Sequence, residues 1–118
     1  MLATIHRDGR PQLSNILYVL DDDGRIKISV TQSRVKTKNL RRDSRAALHV
    51  QGRDPYEYLV VEGTAHLIEG DGLAAKLRDY YRKARGDHPD WAEYDAAMIK
   101  EQRLLVALSI DHAYGQLR

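Results

Sequence analysis

Residues 29–45 read SVTQSRVKTKNLRRDSR, and this stretch decides how the rest of the chain is interpreted. A strand-like run over residues 25–30 ends here in hydroxyl and amide side chains, and a basic segment follows. Against the one carboxylate of Asp43, that segment carries six cations: Arg34, Lys36, Lys38, Arg41, Arg42 and Arg45. Backbone amides and hydroxyls at a strand end, followed by cations on a short helix, are groups that bind phosphate. The stretch therefore predicts an anion site, with a solvated basic helix face as an equal alternative.

Composition narrows the class of protein. The 118 residues suit one domain over 1–118, and the net charge of only +2 makes the basic segment a local feature. No aromatic residue is interleaved with the cations of residues 34–45, so no nucleic-acid partner is predicted. The lack of cysteine excludes disulfides and thiolate chemistry, and no apolar run reaches membrane-spanning length. We expect a cytoplasmic protein without a membrane partner.

Turn signals divide the chain into short strands, with Asp8-Gly9 and residues 21–24 as hairpin turns. Strands are predicted over residues 2–6, 12–20, 25–30, 45–50, 58–68 and 104–110, and a short helix over residues 35–42. Two more helices precede the last strand, the second starting at Asp90 with Glu93 in a capping-box pattern. Short antiparallel strands with inserted helices indicate a mainly β fold, a small β-barrel.

The chain shows no catalytic acid, base or nucleophile in a known pattern. There is no Gly-x-Ser-x-Gly, no Gly-x-Gly-x-x-Gly, and no histidine pair with metal-ligand spacing, so no metal site is predicted. Residues 21–23 are three aspartates, which fit an acidic hairpin turn better than a weak cation site. Tyr56 and Tyr58 flank a proline-containing loop, where a ring can stack on a planar ligand. The remaining signal is an anion site for a cofactor that brings its own reactivity.

Four motifs carry a resemblance to a known family. They are ATIxxDGxPQLSN over residues 3–15, RxKTxNLxxDxRA over residues 34–46, VEGTA over residues 61–65 and HxYG over residues 112–115. Together they resemble the split β-barrel flavin and deazaflavin oxidoreductases of the pyridoxamine 5′-phosphate oxidase-like superfamily. The similarity is closest to the actinobacterial branch that depends on coenzyme F420.

This resemblance implies a homodimer with two cofactor sites at its interface and a small-molecule acceptor. The phosphate contacts that it implies are Arg34, Lys36, Lys38 and Asn39. The ring contacts that it implies are Gln12, Ser14, Asn15, Ser29 and Thr31, with Tyr56 reaching the ring from the partner subunit.

The sequence departs from the family pattern at both ends. Relatives usually carry a helix before the first strand, whereas this chain begins at Met1 directly before a strand-like segment. True pyridoxamine phosphate oxidases also have a C-terminal segment with Trp and Arg that grips the substrate. The residues after Tyr114 lack such a segment, so that particular activity is not expected.

The number of cations in the basic segment favours one cofactor over the other. One phosphate needs two or three cationic donors, so the six cations leave a surplus at Arg41, Arg42 and Arg45. The glutamate tail of F420 would use that surplus, although exposed pairs are worth only ~0.2–1 kcal/mol each. We expect an F420-dependent reductase that transfers a hydride to a conjugated acceptor. An FMN-binding oxidase or reductase of the same fold, or a non-catalytic cofactor-binding protein, remains the alternative.

Overall fold

The computed structural model describes residues 1–116, in which short antiparallel strands dominate. In chain order the elements are β1 (Leu2–Ile5), β2 (Pro11–Ser14), β3 (Val19–Leu20), β4 (Ile26–Thr31), α1 (Val35–Arg42), β5 (Arg45–Gln51), β6 (Tyr58–Ile68), α2 (Leu73–Arg85), α3 (Trp91–Lys100), β7 (Arg103–Leu108) and β8 (His112–Gln116). This is the predicted mainly β fold with inserted helices. No helix in this part of the chain is long and apolar enough to cross a membrane.

The strands form an open, strongly bent sheet in the order β2-β1-β5-β6-β7-β4-β3, with β8 paired to β6. The long strand β6 divides the sheet in two. Its residues 58–64 pair with β5, and its residues 65–68 pair with β7. A strand that changes partner along its length produces the split barrel that the sequence predicted.

Gly63 lies where β6 changes partner, and the chain comes very close there. A Cβ on Gly63 would lie only 1.7 Å from the carbonyl oxygen of Ser109, so no larger residue fits without moving the backbone. The Ser109 N–H donates to the Thr64 carbonyl at 3.0 Å beside it. This close approach explains why a glycine occupies position 63 of the strand.

Successive side chains of β4 point to opposite faces of the strand, and each face packs against a different layer. Ile26, Ile28 and Val30 enter the core between the two halves of the barrel. Ser29 lies opposite Leu105 on β7, and Leu105 packs under α2 and α3, so the other face of β4 lies under the helices. Polar residues Ser29 and Thr31 on that face therefore stand beside the helical layer.

Two predicted elements differ from the structure. The single strand over residues 12–20 is instead β2 and β3, joined by residues 15–18, because Leu17 and Tyr18 are both exposed and break the alternation. The Tyr80 hydroxyl holds this link to α2 by donating to the Leu17 carbonyl at 2.9 Å. The final apolar strand ends at Leu108, and β8, whose residues are all exposed, was not predicted. Backbone pairing with β6, rather than burial, forms β8.

The acidic turn binds a cation that belongs to the chain itself. Lys27 is only 7% exposed, and its ammonium lies 2.7 Å from an Asp21 carboxylate oxygen and 3.0 Å from one of Asp23. Hydrogen bonds from the Arg25 backbone and from Lys27 lower the pKa of Asp23 to about 2. The turn interpretation is therefore confirmed, and the ion pairs of Lys27 account for two of its three aspartates.

Candidate functional site

Two adjoining cavities open where β4, α1 and β7 meet, and four residues line both: Asn15, Ser29, Lys36 and Arg103. The first, here called the anion pocket, has a volume of about 270 Å³ and adds Ser14, Val30, Thr31 and Arg34. The second, called the aromatic pocket, has a volume of about 390 Å³ and adds Tyr80, Tyr81, Arg85, Tyr94 and Met98, with residues 16–17. Because they share a wall, the two pockets form one continuous cleft.

The corner between β4 and α1 forms the anion pocket. The Thr37 hydroxyl donates to the Thr31 carbonyl at 2.6 Å, which ties the first turn of α1 to the end of β4. Arg34 is the N-cap residue, and its side chain makes no capping hydrogen bond. The first N–H groups of a helix have no intrahelical partner. In α1 the Thr37 N–H already donates to the Arg34 carbonyl at 3.1 Å, so the N–H groups of Val35 and Lys36 are the ones available to an anion, together with the positive end of the helix dipole.

Three cations converge on this pocket. Burial lowers the pKa of Lys36 below 10.5, and the charges of Arg34 and Arg103 lower it further. Arg103 is positioned by Glu101, whose carboxylate accepts from Nη2 at 3.1 Å. A partly buried ammonium that is repelled by two neighbouring cations is stabilised when an anion binds. The electrostatics of the pocket thus favour an anionic ligand.

The surplus cations on α1 and at the start of β5 are engaged within the chain, which corrects the surplus predicted from the sequence. Arg41 forms a bidentate ion pair with Glu69, and Arg42 donates to the Ile5 carbonyl. Arg45 lies 2.8 Å from the carboxylate of Asp43. Since these side chains already have partners, their number no longer argues for a ligand with extra carboxylates.

The structure brings six of the ten predicted site residues together in the cleft: Ser14, Asn15, Ser29, Thr31, Arg34 and Lys36. The other four lie outside both pockets. Gln12 accepts from the Thr4 hydroxyl at 3.0 Å, and the buried Asn39 donates to that hydroxyl at 3.1 Å. Lys38 is exposed on α1, and Tyr56 is 65% exposed on the loop before β6. The cofactor contacts of all ten residues stay predictions.

Sequence reasoning missed Arg103 and the aromatic wall. Tyr80, Tyr81 and Tyr94 belong to the core beneath the helices, and each also lines the aromatic pocket. The Tyr94 hydroxyl is buried and donates to the Leu77 carbonyl at 2.8 Å. This burial raises the pKa of Tyr94 to about 12. Arg103 reaches the anion site because it pairs with Thr31 across the sheet. Strand register, which the sequence alone does not provide, was the signal needed.

A profile of the pyridoxamine 5′-phosphate oxidase family matches residues 1–116. The chain belongs to this family. Flavin-type cofactors are the ligands of pyridoxamine 5′-phosphate oxidase-like proteins. The resemblance drawn from the four motifs is confirmed at the level of the superfamily.

Three solved structures that share the fold of this family have different described roles. A conserved hypothetical protein from Mycobacterium tuberculosis is 25% identical, with a TM-score of 0.73, over 95% of this chain and 72% of that chain. A protein described as an F420 reductase is 21% identical, with a TM-score of 0.72, over 98% and 87%. The heme storage protein of Vibrio cholerae is 16% identical, with a TM-score of 0.69, over 97% and 82%. Such similarity establishes the fold and leaves the ligand to be argued from the cleft.

The cleft of this family member fits a flavin-type cofactor. The Ser14 hydroxyl is buried and has no hydrogen-bond partner among the described residues. Buried polar groups are nearly always paired, so an orphaned hydroxyl in a cleft wall points to a polar group that the ligand brings. Ser14 lines the anion pocket together with Arg34 and Lys36. A ligand with a phosphate and a ring edge rich in hydrogen-bonding atoms satisfies all three.

Proposed function

We propose that this protein is an oxidoreductase that binds coenzyme F420 in the cleft and reduces a conjugated organic acceptor. The observation that carries the proposal is the anion pocket, where Lys36, Arg34 and the orphaned Ser14 hydroxyl face one space. The described lining of the cleft contains no Asp, Glu, His or Cys. Hydride transfer suits such a site, because it depends on proximity and orientation more than on a protein acid or base.

Each part of the cleft has a role in this proposal. Arg34, Lys36 and the first N–H groups of α1 hold the phosphate, with Lys38 and Asn39 as the further contacts that the family resemblance implies. Ser14, Asn15, Ser29 and Thr31 line the ring, with Gln12 at its edge. Bound in its reduced form, F420 supplies a hydride to the acceptor, and solvent supplies the proton that completes the two-electron reduction. The residues of the chain bind and orient the cofactor and the acceptor, and they exclude water from the cleft.

FMN is the alternative cofactor, and one observation favours it. Since Arg41, Arg42 and Arg45 have partners within the chain, the cations left in the cleft suffice for a single phosphate. F420 is preferred because the RxKTxNL segment resembles the deazaflavin branch. Binding without turnover is the third possibility, because the cleft supplies no acid–base pair.

Matched ligands separate these possibilities. FMN and riboflavin differ only in the phosphate, and F420 and the phosphate-free deazaflavin differ only in the phosphate and tail. We expect F420 to bind most tightly. Lys36→Ala and Arg34→Ala should each weaken the binding of F420 and of FMN by roughly 1.5–3 kcal/mol. Neither variant should change the binding of riboflavin. Fluorescence titration measures these affinities, and oxidation of reduced F420 by a naphthoquinone tests turnover.

The outcomes assign the cofactor directly. Tighter binding of FMN than of F420 reassigns the protein to the flavin branch. Equal losses for riboflavin and FMN in Lys36→Ala place the phosphate elsewhere. Tight binding of F420 without oxidation by any acceptor supports a carrier rather than a reductase.

The proposal includes a homodimer that completes the site through Tyr56 of the partner subunit. Exposed apolar side chains on β6 and β8, Leu59 and Tyr114, supply surface for such an interface. β7 is not part of the proposed interface, because Leu104–Leu108 are buried within the chain itself. Light scattering should give about twice 13.5 kDa. A monomer that binds F420 tightly contradicts the shared site.

A further inference from the structure

Arg85 is a cation without a partner at the aromatic end of the cleft. It is the last residue of α2 and lines the aromatic pocket. Within residues 1–116 it makes no side-chain hydrogen bond or ion pair, in contrast to three neighbouring cations on the same helix. Those neighbours pair as Arg78 with Asp95, Arg82 with Asp79 and Lys83 with Asp21. An unpaired guanidinium in a cleft wall is available to a ligand.

The surroundings of Arg85 are aromatic. Burial raises the pKa of the Tyr80 hydroxyl, and the positive charges of Arg103 and Arg85 oppose that rise, so both charges lie near this ring. Tyr81 packs edge-on against Tyr94, with ring centroids 5.0 Å apart, and against Trp91, at 5.9 Å. These contacts hold the Tyr81 ring in one orientation. The pocket therefore offers a fixed aromatic wall beside a single charge.

The order of residues along the cleft separates Arg85 from the phosphate. Arg34 lines only the anion pocket, Lys36 and Ser29 line both pockets, and Arg85 lines only the aromatic pocket. In F420 the phosphate lies between the ring and the glutamate tail. With the phosphate at Arg34 and the ring in the shared part, the tail leaves the cleft on the side away from Arg85. The charge of Arg85 is then free for a second molecule.

We propose that the aromatic pocket is the acceptor subsite and that it takes a planar conjugated molecule bearing a carboxylate. The carboxylate pairs with the guanidinium of Arg85, whose two-pronged geometry matches it. The ring of the acceptor packs on Tyr81, and Met98 adjusts to its outline. This inference rests on the proposed function, because it assigns the second substrate of the same cleft.

A matched pair of acceptors tests the charge of the substrate alone. A naphthoquinone with a propanoate side chain and its methyl ester share one ring system and differ in the carboxylate. The wild-type protein supplied with reduced F420 should reduce the acid with a kcat/KM about tenfold above that of the ester. Arg85→Gln should remove this preference while leaving the affinity for F420 unchanged. Lys76→Gln, the same loss of charge elsewhere on α2, should keep the preference.

Equilibrium binding provides a readout that does not need turnover. Trp91 is the only tryptophan and contacts the rings of Tyr81 and Tyr94, so its fluorescence should fall when the acid binds. The acid should quench more strongly than the ester, and only in proteins that retain Arg85. A preference for the acid that survives in Arg85→Gln, together with a lower melting temperature, overturns the proposal. Arg85 would then act only on the end of its own helix. If the wild-type protein does not bind F420 but the acid still quenches Trp91 through Arg85, the proposed cofactor is wrong and the acceptor subsite stands.

Discussion

The Thr37 hydroxyl donates a 2.6 Å hydrogen bond to the carbonyl oxygen of Thr31, across the corner between β4 and α1. Thr37 is completely buried, so solvent does not replace this bond. Arg34 and Lys36 stand between the two threonines in the chain. The position of both cations at the anion pocket therefore depends on one neutral side chain that does not line it.

Thr37→Val removes the hydroxyl and keeps the shape of the side chain. We expect the free energy of unfolding to fall by about 1–3 kcal/mol, because the Thr31 carbonyl loses the shorter of its two hydrogen bonds and keeps only that from the Arg34 N–H at 3.3 Å. FMN should also bind more weakly than to the wild type. Urea denaturation and fluorescence titration measure the two effects. Thr37→Ser keeps the hydroxyl, and an equal loss in that variant would assign the effect to the missing methyl group.

The lowered pKa of Lys36 makes stability depend on pH. The unfolded chain holds this proton up to about pH 10.5, whereas the folded chain releases it earlier. In the window between the two values the unfolded state binds more protons, so this residue makes the free energy of unfolding rise with pH. The difference between the wild type and Lys36→Met should therefore shift in favour of the wild type as the pH rises toward 10.5. Urea denaturation across this range checks the sign.

Ligand binding should reverse that shift. An anion beside Lys36 favours the ammonium, so FMN binding should take up protons in the same window and weaken as the pH rises through it. Calorimetry in two buffers with different ionisation enthalpies counts the protons. Riboflavin is the control, since it lacks the phosphate. Equal proton uptake with riboflavin would contradict a phosphate contact at Lys36.

Tyr80→Phe and Tyr94→Phe remove the same atom from two tyrosines of the cleft. The Tyr80 hydroxyl holds the link between β2 and β3 at Leu17, next to Asn15 in the cleft wall. The Tyr94 hydroxyl bonds to Leu77, within the helical layer. Each variant should lose about 1 kcal/mol of stability. Only Tyr80→Phe should also weaken FMN binding, which titration beside thermal denaturation will show.

The ion pairs of Lys27 should contribute stability that acid removes. The pKa of Asp23 is lowered to about 2, and Lys27 and Lys83 lower that of Asp21. A depressed carboxyl pKa adds stability above its unfolded value, and that stability is lost as the pH falls from about 4 to about 2. The gap in unfolding free energy between the wild type and Lys27→Met should therefore shrink over this range. Lys100→Met, which changes an exposed lysine outside the cavity that Asp21 and Asp23 line, should show no such convergence in urea denaturation.

Local patterns were enough for the elements with clear ends. The helix at Val35–Arg42 and the strand at Tyr58–Ile68 match the predicted bounds. In β6 the buried residues Val61, Gly63 and Ala65 alternate with exposed ones, as a period of two requires. Alternation failed at Leu17 because a hydrogen bond from Tyr80, far along the chain, decides the path of that link.

The cleft depends on contacts that a local count of residues does not reveal. Six cations in one segment suggested a surplus, but Glu69 from the end of β6 neutralises Arg41. Conversely, Arg103 lies far from the basic segment in the sequence, at the start of β7, and enters the site because it pairs with Thr31. Charge density along the sequence predicted that an anion site exists. It did not predict which cations form it.

The insertion of α2 and α3 has a consequence for how relatives diverge. The chain leaves the sheet after Ile68 and returns at a position paired with it, Leu105. The ladder between β6 and β7 therefore sets no length for residues 69–102. A different insertion preserves the barrel as long as it shields Leu105. The wall of the aromatic pocket can therefore change while the corner of β4 and α1 stays intact, so the proposed acceptor subsite can be altered independently of the anion pocket.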